Sequence, residues 1–239
     1  MKLEICVDNV SSLLAAVAAG ADRIELCAAL ALGGLTPSPG LMRQAAACGV
    51  PVHAMIRPRM GDFVYDEAEI ETMLLDIDAV RAAGLAGVVL GPLNAEDRVD
   101  QAVLERLLER AKGLEVTFHR ALDLSRDWRA DLELLIVLGC QRVLTSGQAA
   151  SAPDGAGVLA QMVAAARGRI RVMAGAGVDA ANVAELVRRT GVDEVHLSAS
   201  VRRGRPATLA MGGQDPGDYL GCDGDRVRAV RTVLAGLQP

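Results

Sequence analysis

Eight times along this chain a short apolar run gives way to a longer segment with helical spacing of its apolar residues, and that alternation most constrains the fold. The runs cover residues 3–7, 23–27, 52–56, 87–90, 116–119, 142–144, 171–173 and 194–197. The helical segments cover 11–19, 40–48, 67–83, 101–111, 130–138, 156–167 and 182–189, with 225–237 last. Strands alternating with helices predict an α/β protein with a parallel sheet, and eight such units predict a closed (β/α)8 TIM barrel, one domain over residues 1–239. A doubly wound open sheet would usually carry a glycine-rich turn after its first strand, and Val7-Asp8-Asn9-Val10 has none. Glycines at 20, 49, 84, 113, 139, 168 and 191 each follow a helical segment closely, where a left-handed stop favours them. One connection breaks the rhythm. Residues from about 200 to 224 form a long β8–α8 loop with five glycines, read as a lid, a subunit contact or a mobile surface loop.

Composition narrows the function. A net charge of −5 gives no basic footprint, so nucleic acid is not expected as the partner. Met1-Lys2 leads straight into the first apolar run, so no signal peptide is expected, and no run is long enough to cross a bilayer. Five cysteines without CxxC spacing read as reduced thiols and predict a cytoplasmic location. The only lysines are Lys2 and Lys112, neither at a strand's carboxyl end, which disfavours Schiff-base chemistry.

Barrels of this class carry their chemistry at the carboxyl ends of the strands. The third strand shows the pattern most sharply, passing from Val52-His53-Ala54-Met55-Ile56 into Arg57, Pro58 and Arg59. The other ends supply Glu4 and Cys6, Glu25 and Cys27, His119 and Arg120, Thr145 and Ser146, Gly175 and Gly177, and His196 and Ser198. The first two strands read LEIC and IELC, which sets Glu4 beside Glu25 and Cys6 beside Cys27 if their registers match. Glu4, Glu25, Arg57 and His119 then form a cluster suited to acid/base work, or else a self-compensating polar plug in the barrel. Gly175 and Gly177, before a helix, can turn backbone N–H groups toward an anion, with Arg59, Arg120, Ser146 and Ser198 as further donors; tight packing alone also produces such turns. Cys6 and Cys27 can ligate a soft metal such as Cu(I), with Met55, Met60 or His119 as additional ligands, or serve as small buried hydrophobes.

These motifs together resemble the CutC copper homeostasis family. The segments are Glu25-Leu26-Cys27, Gly33-Gly34-Leu35-Thr36-Pro37-Ser38, Ile56-Arg57-Pro58-Arg59 with Gly61-Asp62-Phe63 and Tyr65, Thr117-Phe118-His119-Arg120-Ala121, Leu144-Thr145-Ser146-Gly147-Gln148, Met173-Ala174-Gly175-Ala176-Gly177-Val178, and Glu194-Val195-His196 with Ser198-Ala199. They run in order with matching spacing from residue 3 to about 200. The resemblance implies a cytoplasmic TIM barrel, often a homo-oligomer, linked to copper tolerance and Cu(I) binding, with copper as its ligand and no organic cofactor. Two readings of different class follow. One is a Cu(I)-handling protein with Cys6 and Cys27 as ligands. The other is a metal-independent enzyme acting on a small phosphorylated or carboxylated metabolite, with Glu25 or His119 moving protons and Arg57 holding anionic oxygens.

Overall fold

The computed structural model describes residues 1–204 and 218–237. Eight parallel strands close into a barrel in sequence order: β1 (Lys2–Val7), β2 (Arg23–Leu26), β3 (Val52–Met55), β4 (Gly87–Leu90), β5 (Glu115–Phe118), β6 (Arg142–Thr145), β7 (Arg171–Ala174) and β8 (Glu194–Leu197). The helices between them are α1 (Val10–Ala18), α2 (Pro39–Ala46), α3 (Glu67–Ala83), α4 (Gln101–Arg110), α5 (Trp128–Val137), α6 (Ala156–Ala166) and α7 (Val183–Thr190), and α8 (Gly224–Ala235) follows the long connection. Local chemistry fixes their ends. Asp66 and Glu69 form a reciprocal capping box that starts α3, and Gly84 stops it at φ 76°.

The ends of the long connection pair as an antiparallel ribbon, β9 (Ser200–Gly204) with β10 (Asp218–Cys222), beside the mouth of the barrel. Its middle, residues 205–217, lies outside the described residues, and with it the greater part of the predicted loop. The ribbon is pinned at its base. The Cys222 N–H donates to Ser12 Oγ of α1 at 2.9 Å, and Arg226 Nη1 of α8 donates to the Ser200 carbonyl at 2.8 Å.

Outward-facing strand residues such as Leu3, Ile5, Ile24, Val88, Val143 and Val195 pack beneath the helices in one continuous core. The inward face is different. TIM barrels usually fill their interior with branched aliphatic side chains, but here the lower interior is an ionic network. Arg23 Nε donates to Glu4 Oε2 at 2.5 Å, and its Nη2 reaches Glu194. Glu194 Oε2 also accepts from Arg142 Nε at 2.7 Å, while Arg142 Nη1 and Nη2 reach Thr117 Oγ1 and Glu115 Oε2, each at 3.1 Å. Arg142 and Glu4 have no solvent exposure. Burial raises the cost of ionising Glu4, yet its bond to His196 and the charge of Arg23 hold its carboxyl well below the usual range.

Strand β4 makes room for two imidazoles. A Cβ on Gly87 would lie 2.8 Å from the His53 ring, and one on Gly91 would lie 2.3 Å from the His119 ring. His53 fills the first gap at no solvent exposure, and burial pushes its pKa down to about 4.

Arg23→Met should cost about 3–5 kcal/mol in urea unfolding, because it strands two buried carboxylates. A loss under about 1 kcal/mol would mean that the network re-forms without its central cation. Neutral His53 sets a pH dependence as well. Between about pH 6.5 and 4 the unfolded chain takes up a proton that folded His53 refuses, so stability falls on acidification. His53→Gln should flatten that decline by about 1.4 kcal/mol per pH unit, measured as unfolding free energy against pH. An unchanged slope would show that His53 titrates normally in the folded protein.

Candidate functional site

Above the ionic network the inward positions change character, and the change follows from strand register. Matching sequence in β1 and β2 would set like beside like, but the strands are offset by two residues. Glu4 lies opposite Arg23, and Cys6 opposite Glu25. Glu4 is therefore neutralised by a guanidinium on the neighbouring strand, and the two thiols do not face each other across the ladder. Offset of this kind is a requirement of barrel closure, since strands must tilt and stagger to form a ring.

One result is a compact corner of mixed donors. Single ligand atoms from Cys6, Glu25 and His196 all lie within 4.8 Å of one another, and all three residues are buried. His196 Nδ1 is 2.8 Å from Glu4 Oε1. Because Glu4 is ionised it accepts this bond, which directs the opposite ring nitrogen, Nε2, toward Glu25 Oε2 at 3.8 Å. Burial opposes charge on His196, but the attraction of Cys6 and Glu25 outweighs it and raises the imidazole well above its usual value. Burial raises the Cys6 thiol and the Glu25 carboxyl. Cys27 stands beside this corner. Its Sγ donates to Glu25 Oε2 at 3.6 Å, and it packs with Met55, Val89 and Leu30. Burial and then the Glu25 charge raise its pKa strongly. Met60 is more than half exposed and stands apart from this group.

A cleft opens over the mouth in two neighbouring lobes, both lined by Cys6, Arg120, His196 and Ser198. The smaller encloses about 400 Å³ and is bounded by Glu25, Met55, Arg57, Phe63, His119 and Leu144. The larger, about 670 Å³, is bounded by the turn after β7, including Gly177, and by α8. Arg57 reaches the smaller lobe from an unusual setting. Its Nη1 donates to the carbonyls of Leu32 and Gly34, its Nη2 donates to that of Gly61, and its guanidinium lies 4.9 Å from the Phe63 ring centroid. His119 meets the same Phe63 ring at a tilt of 53°, with 4.8 Å between ring centroids. Burial, then Arg57, pushes its pKa down to about 3.

The donors expected to hold an anion are largely engaged. Asp123, in the 3-10 turn after β5, occupies the turn after β6. Its carboxylate accepts from Thr145 Oγ1 at 2.6 Å, from the Ser146 N–H at 3.0 Å, from the Gln148 N–H at 3.1 Å and from Arg120 Nε at 2.9 Å. Ser146 Oγ lies 2.8 Å from the same carboxylate. The Gly175 N–H is committed to the Thr145 carbonyl at 3.0 Å. Arg59 turns away from the mouth, pairing with Glu69 and, at 3.0 Å, with Asp62. Nothing in the motif around Ser146 identifies Asp123 as its partner, because helix α5 and strand β6 lie between them in the chain. His196 was visible as a strand-end residue, but its coupling to Glu4 depends on β1 and β8 being neighbours, with Glu4 opposite His196.

The fold and cleft define a parallel TIM barrel with a polar, cysteine- and histidine-bearing mouth. Residues 1–201 match the CutC family model, and the chain belongs to the CutC family. A CutC protein of Sinorhizobium medicae is 49% identical over 98% of this chain and 96% of its own length. One from Caulobacter vibrioides is 53% identical over 93% of this chain and 87% of its own. The solved structure of CutC from Streptococcus agalactiae, a protein named for copper homeostasis, superposes with a TM-score of 0.80 at 33% identity, covering 83% of this chain and 98% of that one.

Removing the internal carboxylate should show how firmly the turn after β6 depends on it. Asp123→Ala leaves the Thr145 hydroxyl and two N–H groups without their acceptor and should destabilise the protein by about 2–4 kcal/mol in urea unfolding. Wild-type stability in that variant would mean that water replaces the carboxylate at no cost.

Proposed function

We propose that this chain is a copper homeostasis protein that binds Cu(I) at the barrel mouth. The observation that carries the reading is the Glu4–His196 bond. A buried carboxylate fixes one imidazole nitrogen and orients the ring in a cluster with Cys6 and Glu25, the arrangement that orients histidine ligands in metal sites. Sulfur and imidazole suit Cu(I), and a carboxylate oxygen suits it poorly. Cys6 and His196 are therefore the first ligands. Cys27 is the second sulfur, held beside them by its hydrogen bond to Glu25. Met55, packed on Cys27, supplies a thioether behind it. The five free cysteines fit a reducing cytoplasm. Among the described residues no helix is long and apolar enough to cross a membrane. A homo-oligomer belongs to the same reading, with exposed Leu14, Leu75 and Val137 as apolar surface for contact.

The test is an anaerobic Cu(I) titration of reduced protein against a competing chelator. Stoichiometric binding is expected for the wild type. Cys6→Ser and His196→Gln should abolish it, Cys27→Ser should weaken it, and Glu4→Gln should weaken it by about 10- to 100-fold through loss of the oriented imidazole. Failure of the wild type to compete, or undiminished binding by Cys6→Ser, would overturn the proposal.

A further inference from the structure

Three buried polar atoms around the smaller lobe have no hydrogen-bond partner: Arg57 Nε, His119 Nε2 and Glu25 Oε1. Buried polar groups are nearly always satisfied in folded proteins, so three at one cavity are a mark of a missing ligand. Two of them can be assigned as donors. Arg57 Nε carries a hydrogen at all times. The Ala121 N–H donates to His119 Nδ1 at 3.1 Å, so that nitrogen bears no proton and the neutral ring carries its hydrogen on Nε2. Among the described residues no carboxylate pairs with Arg57, whose two terminal nitrogens are occupied by neutral carbonyls. The lobe is therefore lined by two side chains, one of them a buried cation, that each keep an N–H without a partner, with Phe63, Met55 and Leu144 as apolar walls.

We infer that the smaller lobe is a binding site for a small hydroxycarboxylic acid, its carboxylate on Arg57 Nε and His119 Nε2 and its hydroxyl on Glu25. One negative charge answers the Arg57 guanidinium, which has no carboxylate partner among the described residues. A hydroxyl both donates and accepts, so it satisfies Glu25 Oε1 in either protonation state. Phosphate is the less suitable occupant. It needs more donors than the lobe offers, and the Ser146, Gln148 and Gly175 N–H groups that would serve it are held by Asp123 and by the Thr145 carbonyl. The volume of about 400 Å³ lies in the range of small-molecule sites. Its polar contacts are made by atoms other than those proposed for Cu(I), Met55 being shared only as a wall, and it does not depend on that reading.

The experiment uses metal-free, reduced, full-length protein, so that its outcome is separate from any copper result. Glycolate, lactate, acetate and inorganic phosphate are titrated at fixed ionic strength, followed by calorimetry and by the His119 side-chain N–H resonance. Saturable binding of glycolate or lactate with movement of that resonance is expected, acetate being weaker by about tenfold for want of the hydroxyl. His119→Phe keeps a ring against Gly91 and should weaken lactate by about tenfold or more. Glu25→Ala should bring lactate down to the affinity of acetate. The resonance in wild-type protein tests the site even if a variant fails to fold. Binding of phosphate in preference to the hydroxy acids, equal binding of acetate and lactate, or no saturable binding of any of the four would overturn the inference.

Discussion

The ion pair between Glu4 and Arg23 governs the inside of this barrel. Both groups are almost wholly buried, and neither could remain charged there alone, since desolvating an isolated ion costs several kcal/mol. Arg23 lies between Glu4 and Glu194, and Arg142 continues the chain from Glu194 to Glu115 at the lower rim. The consequence reaches upward. An ionised Glu4 accepts from His196, and the direction of that bond fixes which face the imidazole turns to Cys6 and Glu25. The chemistry of the mouth is thus set by the packing of the floor.

The ring is asymmetric for a steric reason. Strand β4 contributes almost no side-chain bulk at Gly87 and Gly91, so the imidazoles of its neighbours cross the space it leaves. His53 does so in the floor and His119 at the mouth, both neutral because burial disfavours their charged forms. A neutral histidine keeps one donor and one acceptor. At His119 the acceptor is used by the backbone of the following turn, which leaves the donor buried without a partner. A methyl group at position 91 would force that ring aside.

Much of this architecture was legible in the sequence, because eight repeats of apolar run and amphipathic helix have few other solutions. The eight predicted strands, the seven helices between them and the terminal helix all form, with boundaries shifted by a few residues. Side-chain partnerships were harder to read. LEIC and IELC suggested that β1 and β2 align like with like, whereas the stagger of a closed barrel sets Glu4 against Arg23 and Cys6 against Glu25. The turn after β6 looked like an anion site because its hydroxyls and glycine have the right composition. The protein supplies its own anion there, Asp123, from a turn more than twenty residues earlier. Local composition shows that donors are present, but only the assembled fold shows which are already taken.

The mouth that results is divided by chemistry rather than by shape. Cys6, Cys27, Met55 and His196 make one side soft, while Arg57 and His119 make the other hard and positively polarised. Glu25 stands between them, accepting from Cys27 through one oxygen and leaving the other without a partner. A soft cation and a hydroxylated anion would each find their preferred donors on opposite sides, so neither excludes the other by charge. They meet at Glu25. A ligand that takes this carboxylate as a hydrogen-bond partner alters the electrostatic field at Cys6 and Cys27, whose pKa values it helps to raise. Coupling between the two halves therefore requires no moving element, only the competing demands on one buried carboxyl group.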